Sequence, residues 1–162
     1  MKEEKKQMSD KIIPIFYACD DAFVRYTIVS LKSLVENASK DRKYQVHVLH
    51  TSISDDMKEK MLELETEFLK IGFDNVTSYL SSIEEKLPVR DYYTKTTYFR
   101  LFIAEMYPEY DKAIYIDSDT VVLGDIAKLF DTDLSDNLVG ACHEQAMVQV
   151  DVYGRYAEEV VG

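Results

Sequence analysis

Residues 112–126 read Lys-Ala-Ile-Tyr-Ile-Asp-Ser-Asp-Thr-Val-Val-Leu-Gly-Asp-Ile. An apolar run, Ala113 to Ile116, ends in two aspartates, Asp117 and Asp119, separated by Ser118, and a second apolar run follows at once. The first run has the character of a buried strand. Two like charges at its end need a reason. Carboxylates at i and i+2 share one face of an extended chain, and in a tight turn they converge on one point. Held together without a cation they repel, and one tends to stay protonated. A divalent cation removes the conflict, because carboxylate oxygens suit Mg²⁺ and Mn²⁺, which keep open positions for phosphate oxygens. The alternative is an ordinary turn in which Asp117 and Asp119 cap backbone N–H groups. A bare D-x-D is common, so the surroundings must decide.

Upstream, Ile12 to Ala18 is a mostly apolar run that predicts a buried strand ending at Cys19-Asp20-Asp21. Ile28, Leu31, Leu34 and Val35 then recur at helical spacing within 23–35. Residues 44–50 predict a second strand. Ser54 is a good N-cap, with Asp55 and Asp56 at the positive end of the next helix. Met57, Met61, Leu64 and Phe68 follow on one face up to Gly72, and 76–80 predicts a short third strand. Residues 81–95 read as irregular and 96–106 as a mostly buried helix in which Tyr98 is a core residue. Lys112 to Ile116 is the fourth strand, Leu138 to Cys142 a fifth, and 147–162 an amphipathic helix. His47 and His50 read as strand residues, and His143 as a loop residue.

Strands alternating with helices predict an α/β fold with a mainly parallel sheet. In such sheets ligands bind beyond the carboxyl ends of the strands. Three strands here end in polar groups: Asp20-Asp21, Asp117-Ser118-Asp119 and His143-Glu144.

Composition narrows the partners. The 162 residues are 46% hydrophobic and 30% charged, a folded rather than disordered composition. Nineteen basic against thirty acidic residues give a net charge of −11, which argues against nucleic acid or an anionic membrane as the main partner. No stretch has the apolar length of a membrane span, and residues 1–10 lack the apolar core of a secretory signal. They read as a mobile tail, with 11–162 as one domain. The two cysteines, Cys19 and Cys142, sit in small apolar contexts and read as small buried residues in a reducing cytoplasm.

Two enzyme classes share a strand ending in D-x-D. IYIDSDTVV resembles the motif of haloacid-dehalogenase-type phosphatases, which implies Asp117 as nucleophile and Asp119 as general acid/base. That motif normally closes the first strand of its domain, whereas here three strand–helix units precede it.

The order of the whole chain resembles the N-terminal part of a family 8 glycosyltransferase, the group of glycogenin and the bacterial lipooligosaccharide galactosyltransferases. The resemblance rests on the strand closing on Ala18-Cys19-Asp20-Asp21, TTYFRL at 96–101, YIDSDTVVLGDI at 115–126, LFDTDL at 129–134 and VGAC at 139–142, in that order. It implies a GT-A fold, Rossmann-like and mainly parallel. It also implies retaining transfer of a hexose from a UDP-sugar, with Mn²⁺ or Mg²⁺, to a glycan or lipid-linked acceptor. Asp117 and Asp119 match the metal-binding pair. Ala18 and Asp20 match positions that hold nucleobase and ribose. Arg100 matches an arginine that contacts the donor, and Ser118 lies within the same donor-binding turn. Glu144 falls where relatives carry an Asp near the reacting sugar, one methylene shorter. Ala22 replaces a polar residue that helps hold the nucleotide.

The family pattern continues beyond Gly162 with an N-x-G segment, a D-Q-D segment and a His that completes the metal site. The resemblance thus implies a C-terminally truncated chain with reduced activity, an exposed sheet face or edge suited to homodimerisation, and a full-length protein that is cytoplasmic or peripheral to a membrane. A non-catalytic nucleotide-binding remnant is the further alternative.

Overall fold

The alternation of side chains along the strands divides the core in two. Ile13, Ile15 and Tyr17 point to one face of the sheet and Phe16 and Ala18 to the other. The computed structural model describes residues 11–83 and 95–142. The expected tail at 1–10, most of the irregular segment at 81–95 and the helix expected at 147–162 lie outside the described residues.

The elements in order are β1 (Ile12–Ala18), α1 (Val24–Asn37), β2 (Lys43–His50), α2 (Asp55–Leu62), β3 (Leu69–Asn75) and α3 (Thr77–Ile83). A 3₁₀ helix (Lys95–Phe102) then runs into α4 (Ile103–Met106), followed by β4 (Ile114–Tyr115) and α5 (Ile126–Phe130). The strands form one parallel sheet in the order β3-β2-β1-β4. On one face, Tyr44, Val46 and Val48 of β2 and Leu69 and Ile71 of β3 join the β1 residues. Leu31 and Leu34 of α1, Met61 of α2 and Phe130 of α5 cover them. On the other face Phe16, Ala18 and Leu49 meet Leu80 of α3, Phe99 and Ile103. Burying each large aliphatic or aromatic side chain contributes about 1.5–3 kcal/mol, and Ile13, Ile15, Leu31, Leu34 and Phe16 are fully buried.

Two expected strands are corrected. The third is Leu69–Asn75, not 76–80. Leu69, Ile71 and Phe73 alternate with Lys70, Gly72 and Asp74, the period of a strand. Helix α2 stops at Leu62, and Thr66 Oγ1 accepts from the Leu69 backbone N–H at 3.0 Å in the turn that follows. Val76, just before α3, and Leu80 on it are instead four residues apart and both buried. Asn75 Oδ1 starts that helix by accepting from Thr77 N at 3.0 Å. The expected strand at 138–142 does not form: Leu138 is 97% exposed and Val139 77%. An apolar run becomes a strand only with a ladder partner and a face to bury. These residues belong to a separate compact unit, Thr132–Gly162, whose described part is organised by a turn in which Ser135 N donates to Asp133 Oδ1 and Asn137 N to Leu134 O.

The topology sets the position of the site. The chain steps from β1 through β2 to β3 in one direction, then returns to lay β4 on the opposite side of β1. The switch point of the sheet therefore lies between β1 and β4, and ligands of open α/β sheets bind at the carboxyl end of that junction.

Candidate functional site

Both strands that border the switch point end in the aspartates singled out above. β1 ends at Ala18, and Cys19 N donates to Leu49 O at 3.2 Å. Asp20 then turns the chain: its Oδ1 accepts from Ala22 N at 3.0 Å and Phe23 N at 3.1 Å, the entry to α1. One carboxylate oxygen of Asp20 is thus spent on the turn, leaving Oδ2 as the oxygen that can face a ligand. Asp21 accepts from the backbone N–H and hydroxyl of Ser54, so Ser54 starts α2 without capping it by its side chain.

β4 continues into the aspartate turn through Ile116 N, which donates to Phe16 O at 2.9 Å. Ser118 is buried, and its hydroxyl donates to Ala18 O at 2.9 Å. The serine between the two aspartates thus ties the turn to the end of β1. Asp119 is exposed and the Asp117 side chain 48% exposed. Thr120 closes the turn, with its N–H and its hydroxyl both donating to Asp117 O.

Arg100 comes from the 3₁₀ helix. Phe99, buried beside it, anchors that helix to the sheet, whereas Tyr98 is only half-buried and not the core residue expected. Arg100 Nη2 lies 2.8 Å from Asp117 Oδ1 and Nη1 lies 3.3 Å from Oδ2. Tyr115, whose role the sequence did not indicate, donates its hydroxyl to Asp117 Oδ1 at 3.0 Å. Its ring lies 4.6 Å from the guanidinium. Burial and the neighbouring Asp117 push the Tyr115 phenol above its ordinary range, so it stays a hydrogen-bond donor. Glu144 and His143 lie outside the described residues.

Next to Asp20, a cleft of about 540 Å³ is lined by Asp21, Ala22, Arg25, Tyr26, Ser54 and Met57. A larger one, about 630 Å³, opens among Lys40, Arg42, Lys43 and Phe68, at the amino ends of β2 and β3. That is the wrong end of a parallel sheet for the usual ligand site.

The model of glycosyl transferase family 8 matches residues 14–159. The chain belongs to that family. It is 29% identical over 138 residues to general stress protein A of Bacillus subtilis, covering 83% of this chain and 47% of that protein. It is 26% identical over 149 residues to a putative glycosyltransferase of Haemophilus influenzae, covering 91% of this chain and 43% of that one. The chain thus spans less than half the length of these relatives. Among solved structures, the galactosyltransferase LgtC in complex with donor and acceptor sugar analogs superposes with a TM-score of 0.72 and 26% identity, over 93% of this chain and 53% of that one. The apo bifunctional glycosyltransferase WbbM gives 0.78 and 26%, over 94% and 29%. The fold is GT-A, and the match leaves the phosphatase reading without support.

The donor chemistry fits a divalent cation in part. Asp117 and Asp119 offer hard carboxylate oxygens of the kind Mn²⁺ and Mg²⁺ take. Among the described residues no group of three His, Cys, Asp or Glu is near enough to hold a metal ion. Among the described residues, too, no helix is long and apolar enough to cross a membrane.

Proposed function

We propose that this chain forms the donor-binding part of a retaining hexosyltransferase. Its donor is a UDP-sugar, its acceptor a hydroxyl of a glycan or lipid-linked sugar, and its cation Mn²⁺ or Mg²⁺ on Asp117 and Asp119. One observation carries this reading. The Arg100 guanidinium pairs with the half-exposed Asp117 carboxylate at the switch point of the sheet, beside the end of β1, and the exposed Asp119 follows two residues on. That arrangement suits a ligand that is anionic, bound to a cation and attached to a nucleoside.

Each residue has a part that follows from its chemistry. Asp117 and Asp119 would hold the cation, which when bound neutralises charge on the diphosphate leaving group. Arg100 presents a planar fork of N–H donors matched to phosphate oxygens. Asp20 Oδ2 accepts from a ribose hydroxyl, and the backbone around Ala18 borders the base. Ser118 ties the two strand ends together, and Tyr115 orients Asp117. The −11 net charge makes local positive groups necessary for an anionic donor, and Arg100 and the cation supply them.

The test is turnover. A panel of UDP-sugars is incubated with the protein and Mn²⁺, and free UDP is measured. The reading predicts Mn²⁺-dependent UDP release from one or a few donors, lost in Asp119→Ala. No release and no UDP binding with any divalent ion would contradict it.

A further inference from the structure

Asp117 already has a cation. One guanidinium, that of Arg100, spans both of its oxygens, at 2.8 and 3.3 Å. Tyr115 contributes twice: its hydroxyl donates to the same Oδ1 at 3.0 Å, and its ring faces the guanidinium at 4.6 Å. The three side chains close a ring of contacts, Arg100 on Asp117, Asp117 on Tyr115, Tyr115 on Arg100. A divalent cation seated on Asp117 would stand within a few ångströms of that guanidinium, and two like charges at that separation repel. The guanidinium and the metal therefore compete for one carboxylate. Both partners are accessible, with the Arg100 side chain 37% exposed and that of Asp117 48% exposed, so exchange needs no opening of the core.

We propose that Arg100 is an exchangeable counter-ion for Asp117, released by the divalent cation and handed to the diphosphate of the donor, with Tyr115 as the positioning residue that retains it. The ring of Tyr115 holds the guanidinium at the site by a cation–π contact after the ion pair opens. Its hydroxyl keeps Asp117 oriented throughout. This inference rests on the metal role of Asp117 and Asp119 proposed above and adds a coupling between the two ligands. The nucleotide draws Arg100 away from Asp117 and so favours the metal; by reciprocity the metal favours the nucleotide.

The signs differ from those of a merely structural arginine. Removing the Arg100 charge should strengthen metal binding in the absence of nucleotide. It should also reduce the gain in metal affinity that nucleotide confers, leaving the share that direct ligation by the diphosphate supplies.

The experiment measures free Mn²⁺ by electron paramagnetic resonance, with and without UDP, in the wild type and five variants. Asp119→Ala is the control for the site. Arg100→Gln should bind Mn²⁺ about three- to tenfold tighter than wild type without UDP, the scale of one half-exposed charge interaction. Its further gain in affinity when UDP is added should be smaller than that of the wild type. Arg100→Lys, a point charge without the fork, should fall between the two and serves if the Gln variant folds poorly. Tyr115→Phe keeps the ring and should retain most of the UDP-dependent gain, whereas Tyr115→Leu should retain less. Unchanged or weaker Mn²⁺ binding in Arg100→Gln, with binding still abolished in Asp119→Ala, would overturn the exchange and leave the metal site standing. Mn²⁺ bound by no form of the protein would overturn both.

Discussion

The hydroxyl of Ser118 donates to the carbonyl oxygen of Ala18 at 2.9 Å, joining residues a hundred positions apart in the chain. This bond sets the end of β1 against the aspartate turn and so fixes the spacing between Asp20 and the Asp117–Asp119 pair. Ser118→Ala leaves a buried carbonyl without its partner, at a cost of about 1–2 kcal/mol. Urea denaturation should show the lower midpoint with an unchanged slope, and nucleotide affinity should fall with it. A midpoint equal to wild type would mean that β1 and the turn are held together by other contacts.

The segment that follows the aspartate turn is strapped back onto α1 and the loop between α1 and β2. Val122 N donates to Ser33 Oγ, and Asn37 Nδ2 donates to Val122 O. Asp125 is the knot: its Oδ1 accepts from Ser39 N and Ala127 N, both at 3.1 Å, and caps α5. Asp131 then pairs bidentately with Arg42 at 2.8 and 3.1 Å. Asp125→Ala should cost about 1–2 kcal/mol, the worth of a helix cap with one further donor stranded. Thermal unfolding measures it. Asp125→Asn, which keeps an acceptor oxygen, should restore part of the loss.

These roles mark the boundary of what the amino-acid sequence discloses. α1 is legible because Ile28, Leu31, Leu34 and Val35 recur at helical spacing, and β1 and β2 because apolar or β-forming residues run together between polar breaks. The 96–106 segment is helical, but Lys95–Phe102 is a 3₁₀ helix, and of the described side chains from 98 to 106 only Phe99 and Ile103 are buried, so the mostly buried helix expected there is corrected. The third strand was obscured because Leu64 and Phe68 happen to continue the helical spacing of Met57 and Met61 beyond the end of α2. The expected strand at 138–142 rests on apolar content alone, and content does not supply a ladder partner. Within the site, Asp117, Asp119 and Arg100 stand out because charge interrupts apolar runs. Tyr115 does not, since a tyrosine in a strand looks like core. Nor do Ser118, Asp125 and Asp131, whose partners lie between 86 and 100 residues away in sequence.

Acid should destabilise the fold through Asp74. His47 Nδ1 lies 2.9 Å from Asp74 Oδ2 and Nε2 lies 3.0 Å from the Tyr110 hydroxyl, while the ring stacks on Phe16 with centroids 4.7 Å apart. The hydrogen bond from His47 holds the Asp74 carboxyl below its ordinary range. A depressed carboxylate contributes stability that is complete above its unfolded pKa, about 3.9, and is lost as pH falls through the folded value. Urea midpoints should therefore drop below about pH 4 in the wild type, and the drop should be shallower in Asp74→Asn. With the Asp74 side chain 37% exposed, solvent screening keeps this contribution modest. Parallel pH profiles for the two proteins would rule out this pair as the source.

The two thiols should behave differently. Cys19 is 1% exposed, and burial, reinforced by Asp20 and Asp21, pushes its thiol from 9.0 up to about 11. The fraction of reactive thiolate at neutral pH is then about a hundredfold lower than for an unperturbed thiol. Cys142 is exposed. Alkylation under native conditions, followed by peptide mass spectrometry, should label Cys142 first and Cys19 only after unfolding. Equal labelling rates would show that the carboxyl end of β1 opens readily.

The central claim is that Asp117 and Asp119 form a cation site for a nucleoside diphosphate at the β1–β4 junction. Calorimetric titration of UDP into the protein, with Mn²⁺ and then with the metal removed by chelator, tests it most directly. The account predicts binding that depends on Mn²⁺ and disappears in Asp119→Ala, with the variant still folded by circular dichroism. UDP affinity that is the same with and without metal, or that survives Asp119→Ala, would contradict it.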